Sequence, residues 1–288
     1  MNQLNLFIEL TRLKKPIGFM LLFWPCAWGL TLAYDFSLNL NNYFFYLILF
    51  FLGSIFMRSA GCIVNDILDK EFDVKVFRTK NRPIASGKVS IKLGILYSIL
   101  LCFLALLVLL NFNSFTIILA LGSMPLAFTY PLMKRFTYWP QLFLGITFNY
   151  GLILGWTAVN GKLEIIPILF YIGAIFWTLG YDTIYGYQDI KDDEIIGLKS
   201  TSIKFKGKAR EFLFVCYAFV IIFFIVGGFK MNFHFSYYIL ILIPLVHLFL
   251  YQIKKFDLNN PSSCLNAFKS NNLFGLIIFL NILIVKIL

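Results

Sequence analysis

Two short stretches hold most of the acids of this 288-residue chain: Asn65-Asp66-Ile67-Leu68-Asp69-Lys70-Glu71-Phe72-Asp73, and the segment from Asp182 to Asp193 that includes Asp189. Nine of the 14 Asp and Glu residues lie between Asp66 and Asp73 or between Asp182 and Glu194, although the net charge is +11. Each stretch continues an apolar run, so helical spacing tests whether its acids face one way. Counted from Asp69 at 100° per residue, Asn65, Asp66 and Asp73 share an arc of about 100° with it. In the second stretch Asp189 and Asp193 fall about 20° to either side of Asp182. Carboxylates so close repel one another unless a cation compensates them. Oxygen donors with no histidine nearby suit Mg²⁺, which binds through a few carboxylates plus substrate phosphates. A diphosphate substrate is therefore expected. Solvated helix ends are the bland alternative, adequate for one cluster but not for both; Glu71, Asp192 and Glu194 are read that way.

Cations follow each acidic stretch: Arg78-Thr79-Lys80-Asn81-Arg82-Pro83 leading to Gly87, and Lys199-Ser200-Thr201-Ser202-Ile203-Lys204 leading to Gly207. Such side chains hold phosphate oxygens. The recurring order of acids, cations and glycine predicts a repeat of about four helices, with a first half near 1–133, a second near 138–253 and a last helix at 273–288. The site would lie between the halves of a single domain covering 1–288.

The elements that must position these residues are membrane spans. With 60% hydrophobic, 19% aromatic and 14% charged residues, the composition is far from that of a soluble domain. A span needs about 20 mostly apolar residues. Nine stretches qualify or nearly do: 17–34, 43–64, 91–110, 115–133, 138–159, 165–187, 212–229, 235–253 and 273–288. Of the 25 Lys and Arg, 21 fall in the amino-terminal segment and every second loop, three lie opposite (Lys162, Lys230 and Lys286), and Arg58 is inside a span. Basic loops stay on the cytoplasmic side, so the amino terminus is expected there and the carboxyl terminus outside. The expectation is an all-α integral membrane protein of nine transmembrane helices. Met1 to Lys15 shows no cleavable signal, which favours a bacterial cell inner membrane over an imported organelle protein. The five scattered cysteines indicate neither disulfides nor metal. No basic domain stands free of lipid, so nucleic acid is not an expected partner. His234 and His247 lack partners at ligand spacing.

The chain resembles the UbiA-type 4-hydroxybenzoate polyprenyltransferases along nearly its whole length. The resemblance rests on Arg12-Leu13-Lys14-Lys15-Pro16-Ile17-Gly18, Arg58-Ser59-Ala60-Gly61-Cys62 leading into the NDxxDxxxD pattern at Asn65 to Asp73, Tyr130-Pro131-Leu132-Met133-Lys134-Arg135, and Tyr181-Asp182-Thr183. It implies a nine-helix bundle around a central cavity open laterally to lipid, in which Mg²⁺ binds the diphosphate of an all-trans polyprenyl diphosphate. The prenyl group is then joined to 4-hydroxybenzoate ortho to its hydroxyl, in ubiquinone synthesis. Carried over by motif position, Asn65, Asp69, Asp73, Asp182, Asp189 and Asp193 are metal-site candidates. Asp66 would orient a neighbour or assist with the ring proton. Arg12, Lys80, Arg82, Lys134 and Lys199 lie at the membrane edge where diphosphate would sit. Arg58, two turns deeper than Asn65, either braces the first acidic cluster or touches substrate. Arg135 is the candidate for the benzoate carboxylate, with Tyr130 in reach of the same pocket. Membrane lipids are the other expected partner, with no obligate protein partner. A relative with another acceptor, of menaquinone, haem or tocopherol type, and a cation-coupled transporter are the competing readings.

Overall fold

The computed structural model describes residues 2–288, and every regular element among them is helical. We label the principal helices α1 (Gln3–Leu10), α2 (Ile17–Ala33), α3 (Leu40–Leu68), α4 (Ile91–Leu109), α5 (Ser114–Thr129), α6 (Pro140–Asn160), α7 (Ile165–Gly186), α8 (Ala209–Lys230), α9 (Ser236–Lys255) and α10 (Pro261–Ile287). Their ends follow local chemistry. Asn39, Ser90 and Asn113 accept backbone N–H groups at the starts of α3, α4 and α5. Pro140 opens α6, and Gly161, at φ 62°, ends it in the left-handed conformation. Pro244 and a π-type turn at His247–Gln252 interrupt α9.

Eight helices are long and apolar enough to cross a membrane, counting α5 together with the short turns that carry it to Phe136. The expected first span, α2, is apolar but has only 17 residues. The boundaries differ most at α10. The polar stretch at 259–272, outside the nine expected spans, is largely helix from Pro261 onward. Its polar side chains are satisfied inside the bundle: buried Asn271 accepts from Trp177 Nε1 at 2.8 Å and from Gln252 Nε2 at 2.9 Å.

Small residues let the helices approach. A Cβ on Gly29 of α2 would lie 2.0 Å from the Leu152 carbonyl oxygen of α6, and one on Gly155 would lie 2.3 Å from the Cys26 carbonyl oxygen. Lipid supplies no hydrophobic drive between spans, so such close backbone contact is how they associate. α10 closes on α2 through Trp28 Nε1, which donates to the Gly275 carbonyl at 2.9 Å, while the Trp28 and Trp177 rings meet at 5.2 Å. A second cluster, including Leu6, Leu10, Ala60, Ile63, Ile84 and Val89, ties α1 and the α3–α4 connection onto α3. Gly29→Ala is expected to destabilise the bundle by about 1–3 kcal/mol through overpacking; an unchanged thermal midpoint in detergent would show that α2 and α6 do not depend on this contact.

Candidate active site

The acids lie where two helices end. α3 stops at Leu68, and Asp69, at φ −96° and ψ 4°, joins it to a short helix at Lys70–Asp73. α7 stops at Gly186, and Asp189 opens a short helix at Ile190–Ile195. The continuous helical arc expected for each cluster therefore fails beyond its first members. The breaks still bring Asn65, Asp69, Asp73, Asp182, Asp189 and Asp193 to one cavity of about 320 Å³, with Arg12, Arg58, Arg78, Arg82, Tyr130, Lys134, Tyr185 and Lys199 also on its wall.

The acids are held by cations from distant segments. Arg82 Nη1 donates to Asp73 Oδ2 at 2.8 Å and to Asp66 Oδ1 at 3.1 Å. Arg12 also donates to Asp66, and Lys134 Nζ donates to Asp69 Oδ2 at 2.5 Å. Arg12 itself has φ 57°, a strained left-handed backbone for an arginine, at the turn that aims its side chain inward. Arg78 links the two acidic segments: its guanidinium makes three hydrogen bonds to Asp189 and one, at 3.3 Å, to the Tyr185 hydroxyl. The Phe77 N–H adds a 3.2 Å bond to Asp192 Oδ2. Burial, with repulsion from Asp189, pushes the Asp193 carboxyl up to about 6.

Three expected site residues do not line the cavity. Asp66 is 2% exposed, beneath the wall, where its charge is matched by Arg12 and Arg82. Lys80 lies on the surface with Nζ 4.6 Å from the Phe77 ring centroid, because the segment after Asp73 turns rather than continuing as helix. Arg135 points away, its Nη2 donating to the Leu68 carbonyl at 2.6 Å and its guanidinium lying over Phe72. Nor does Arg58 brace the first cluster. Among the described residues it has no acidic partner within 4.0 Å, and its guanidinium lies over Phe148 at 5.3 Å. The sequence points to Arg78 only as one of a run of cations, and does not point to Tyr185. Tyr185 follows Asp182 by three residues on α7, a same-face spacing that could have found it; Arg78 could not be told from Lys80 without the turns between Val74 and Ser90.

Arg58, Tyr130 and Phe148 also bound a second cavity, of about 220 Å³, enclosed by α2 to α6 and lined by groups such as Cys26, Phe50, Gly53, Met57, Ala105, Phe112, Ala120 and Leu154. The polar chamber and the apolar one thus adjoin at these three side chains. For a metal the donors fit in one manner. Among the described residues no three carboxylates converge as a ready cage, but Asp69 Oδ1 is buried with no hydrogen-bond partner and the other donors are all oxygen. Mg²⁺ characteristically takes one or two carboxylates and completes its shell from phosphate and water.

The profile of the UbiA prenyltransferase family matches residues 22–282. The mitochondrial 4-hydroxybenzoate polyprenyltransferase of Arabidopsis thaliana is 43% identical, covering 95% of this chain and 67% of the relative. The Dictyostelium discoideum and human enzymes of the same name are 40% and 42% identical over 100% and 96% of the chain, which spans 62% and 74% of their lengths. A UbiA homologue from Aeropyrum pernix K1 superposes with a TM-score of 0.77 at 23% identity, covering 93% of this chain and 98% of that one. One from Archaeoglobus fulgidus bound to GPP and Mg²⁺ gives 0.70 at 18%, covering 98% and 100%. The expected bacterial inner membrane is corrected by these relatives, which are mitochondrial. That expectation relied on the first 15 residues, and the relatives extend beyond the matched region, so those residues do not discriminate. Placement as a multi-pass membrane protein stands.

The Asp66 network generates a test of its own. Arg82→Gln and Asp66→Asn are expected to couple by at least about 1 kcal/mol in a double-mutant cycle on unfolding, since each alone leaves a buried charge short of a partner; simple additivity would refute the network.

Proposed function

Because the chain belongs to the UbiA prenyltransferase family, we propose that it is a Mg²⁺-dependent 4-hydroxybenzoate polyprenyltransferase. It transfers a polyprenyl group from an all-trans polyprenyl diphosphate to the ring carbon ortho to the hydroxyl, releasing diphosphate, in ubiquinone synthesis. The observation that carries this reading is the pair of adjoining chambers: one lined with acids and cations for a diphosphate and its metal, the other apolar for an isoprenoid tail. The identity of the acceptor rests on relatives 40–43% identical over nearly the whole chain.

Asn65, Asp69, Asp73, Asp182, Asp189 and Asp193 hold the metal in this reading, with Asp189 first released from Arg78. Bound Mg²⁺ supplies positive charge that stabilises the departing diphosphate. Arg12, Arg78, Arg82, Lys134 and Lys199 hold phosphate oxygens. Asp66 acts behind them, fixing Arg12 and Arg82. When the allylic carbon–oxygen bond breaks, the electron pair leaves on diphosphate and the carbon carries a delocalised positive charge. The electron-rich ring forms the new carbon–carbon bond, and an oxygen base on the cavity wall or the released diphosphate takes the ring proton. Phe148, Tyr130 and the apolar wall keep water from the allylic carbon. Arg58, where the two chambers adjoin and with no carboxylate within ion-pair distance among the described residues, takes the benzoate carboxylate; Arg135 instead props the Leu68 carbonyl beside Asp69.

The nine-span topology is part of the proposal. Seventeen residues are near the lower limit for crossing, so α2 counts as the ninth span. The amino terminus and the acidic helix ends share the basic face, and the carboxyl terminus lies opposite. The chain is read as one domain, its two acid-and-cation units coming from two helical halves.

Purified protein should consume 4-hydroxybenzoate only with Mg²⁺ and a long prenyl diphosphate, and EDTA should stop turnover until Mg²⁺ is restored; folded protein that forms no product refutes the assignment. Asp69→Ala and Asp182→Ala should each reduce turnover to less than about one-hundredth with helical content unchanged. Arg58→Ala should raise the KM for 4-hydroxybenzoate at least about tenfold while Arg135→Ala does not; the reverse pattern returns the carboxylate to Arg135.

A further inference from the structure

We propose that Gly18 is a positioning residue for the ring acceptor, its missing side chain forming the notch that fixes where the Arg58 guanidinium sits. The inference rests on reading Arg58 as the partner of the benzoate carboxylate. A Cβ on Gly18 would lie 2.7 Å from Arg58 Nε, 3.4 Å from Nη2 and 3.5 Å from Cζ. Gly18 is in the first turn of α2 and lines the polar chamber beside Arg58 and Phe148. The requirement is for space and not for an unusual backbone angle, since Gly18 is helical.

The charged head of Arg58 has no carboxylate within ion-pair distance among the described residues, so no ion pair dictates its place. What bounds it is shape: the Phe148 ring lies 5.3 Å from its Cζ, and the Gly18 backbone leaves room for its Nε, Cζ and Nη2. That leaves its hydrogen-bond donors for an incoming anion. Gly29 and Gly155 differ in kind, because their absent Cβ atoms would strike backbone carbonyls of neighbouring helices and their role is packing. A methyl group at position 18 would push the guanidinium out of its slot and misalign it with a carboxylate, while the metal groups on α3, α7 and their connections stay where they are and Arg12 and Lys134 keep their carboxylate partners Asp66 and Asp69.

Steady-state kinetics of Gly18→Ala test this. The KM for 4-hydroxybenzoate is expected to rise at least about tenfold, the loss of an aligned charge-assisted hydrogen bond. The KM for the prenyl diphosphate and kcat at saturating acceptor should stay within about twofold. With 4-hydroxybenzamide, whose amide lacks the charge, wild type and Gly18→Ala should be equally poor. A loss of the same size for both acceptors, or an equal rise in both KM values, makes Gly18 a packing residue and overturns the proposal; so does an unchanged acceptor KM. The double variant Gly18→Ala/Arg58→Ala removes the clash, and should match Arg58→Ala in folding and acceptor KM; a further rise also overturns it. If Arg58→Ala leaves the acceptor KM unchanged, the reading of Arg58 itself has failed. If Arg58→Ala raises it and Gly18→Ala does not, only the positioning role is lost.

Discussion

The constraint on which the site depends is the compensation of carboxylates that burial would otherwise make untenable. Asp66, Asp69 and Asp73 are almost wholly excluded from solvent. An isolated carboxylate in such a place costs several kcal/mol, so each must meet a cation. The cations come from everywhere except α3 itself: Arg12 from before α2, Arg82 from the connection after the acids, Lys134 from the end of the α5 segment. Electrostatics thereby gathers four separate pieces of chain at one end of the bundle. Arg78 and Asp189 do the same between the two long connections, so that charge pairing does at the rim what glycine and tryptophan contacts do within the membrane.

Those contacts set how deep each charged group lies. Close approach of α2 and α6 at Gly29 and Gly155 fixes the start of α2, and with it the loop that carries Arg12, relative to Phe148 on α6. The second apolar cluster holds Ile84 and Val89 on α3, which anchors the segment around Arg82. Packing therefore decides which arginines reach the cavity. Spacing along the chain does not.

The sequence disclosed what depends on type and period. Apolar runs located the helices, and two clusters of acids at helix ends marked the place where six oxygen donors now line one wall. It was less informative wherever the chain stops being helical. Asp69 and Asp189 sit at breaks, so angular reckoning past Leu68 and Gly186 had no basis. Lys80 and Arg78 are two residues apart in a run of turns; one reaches solvent and the other Asp189, a distinction that rests on tertiary contact. Arg135 is engaged by the carbonyl of Leu68, whereas Arg58, a buried cation in need of a partner, meets an aromatic face and no carboxylate within ion-pair distance among the described residues. Compartment was illegible for a different reason: targeting resides in segments that a transmembrane pattern does not encode.

A boundary shared by two chambers also governs what can sit in each. Arg58, Tyr130 and Phe148 bound both spaces, so anything seated among them stands between the one and the other. An isoprenoid tail entering the apolar chamber past an already bound ring would have to displace it, whereas a ring arriving after the tail closes the opening behind the allylic carbon. In the proposed reading, tail first and ring second is then the order in which neither substrate has to pass the other. In that order the last group to enter would also be the stopper that shields the reactive carbon from water.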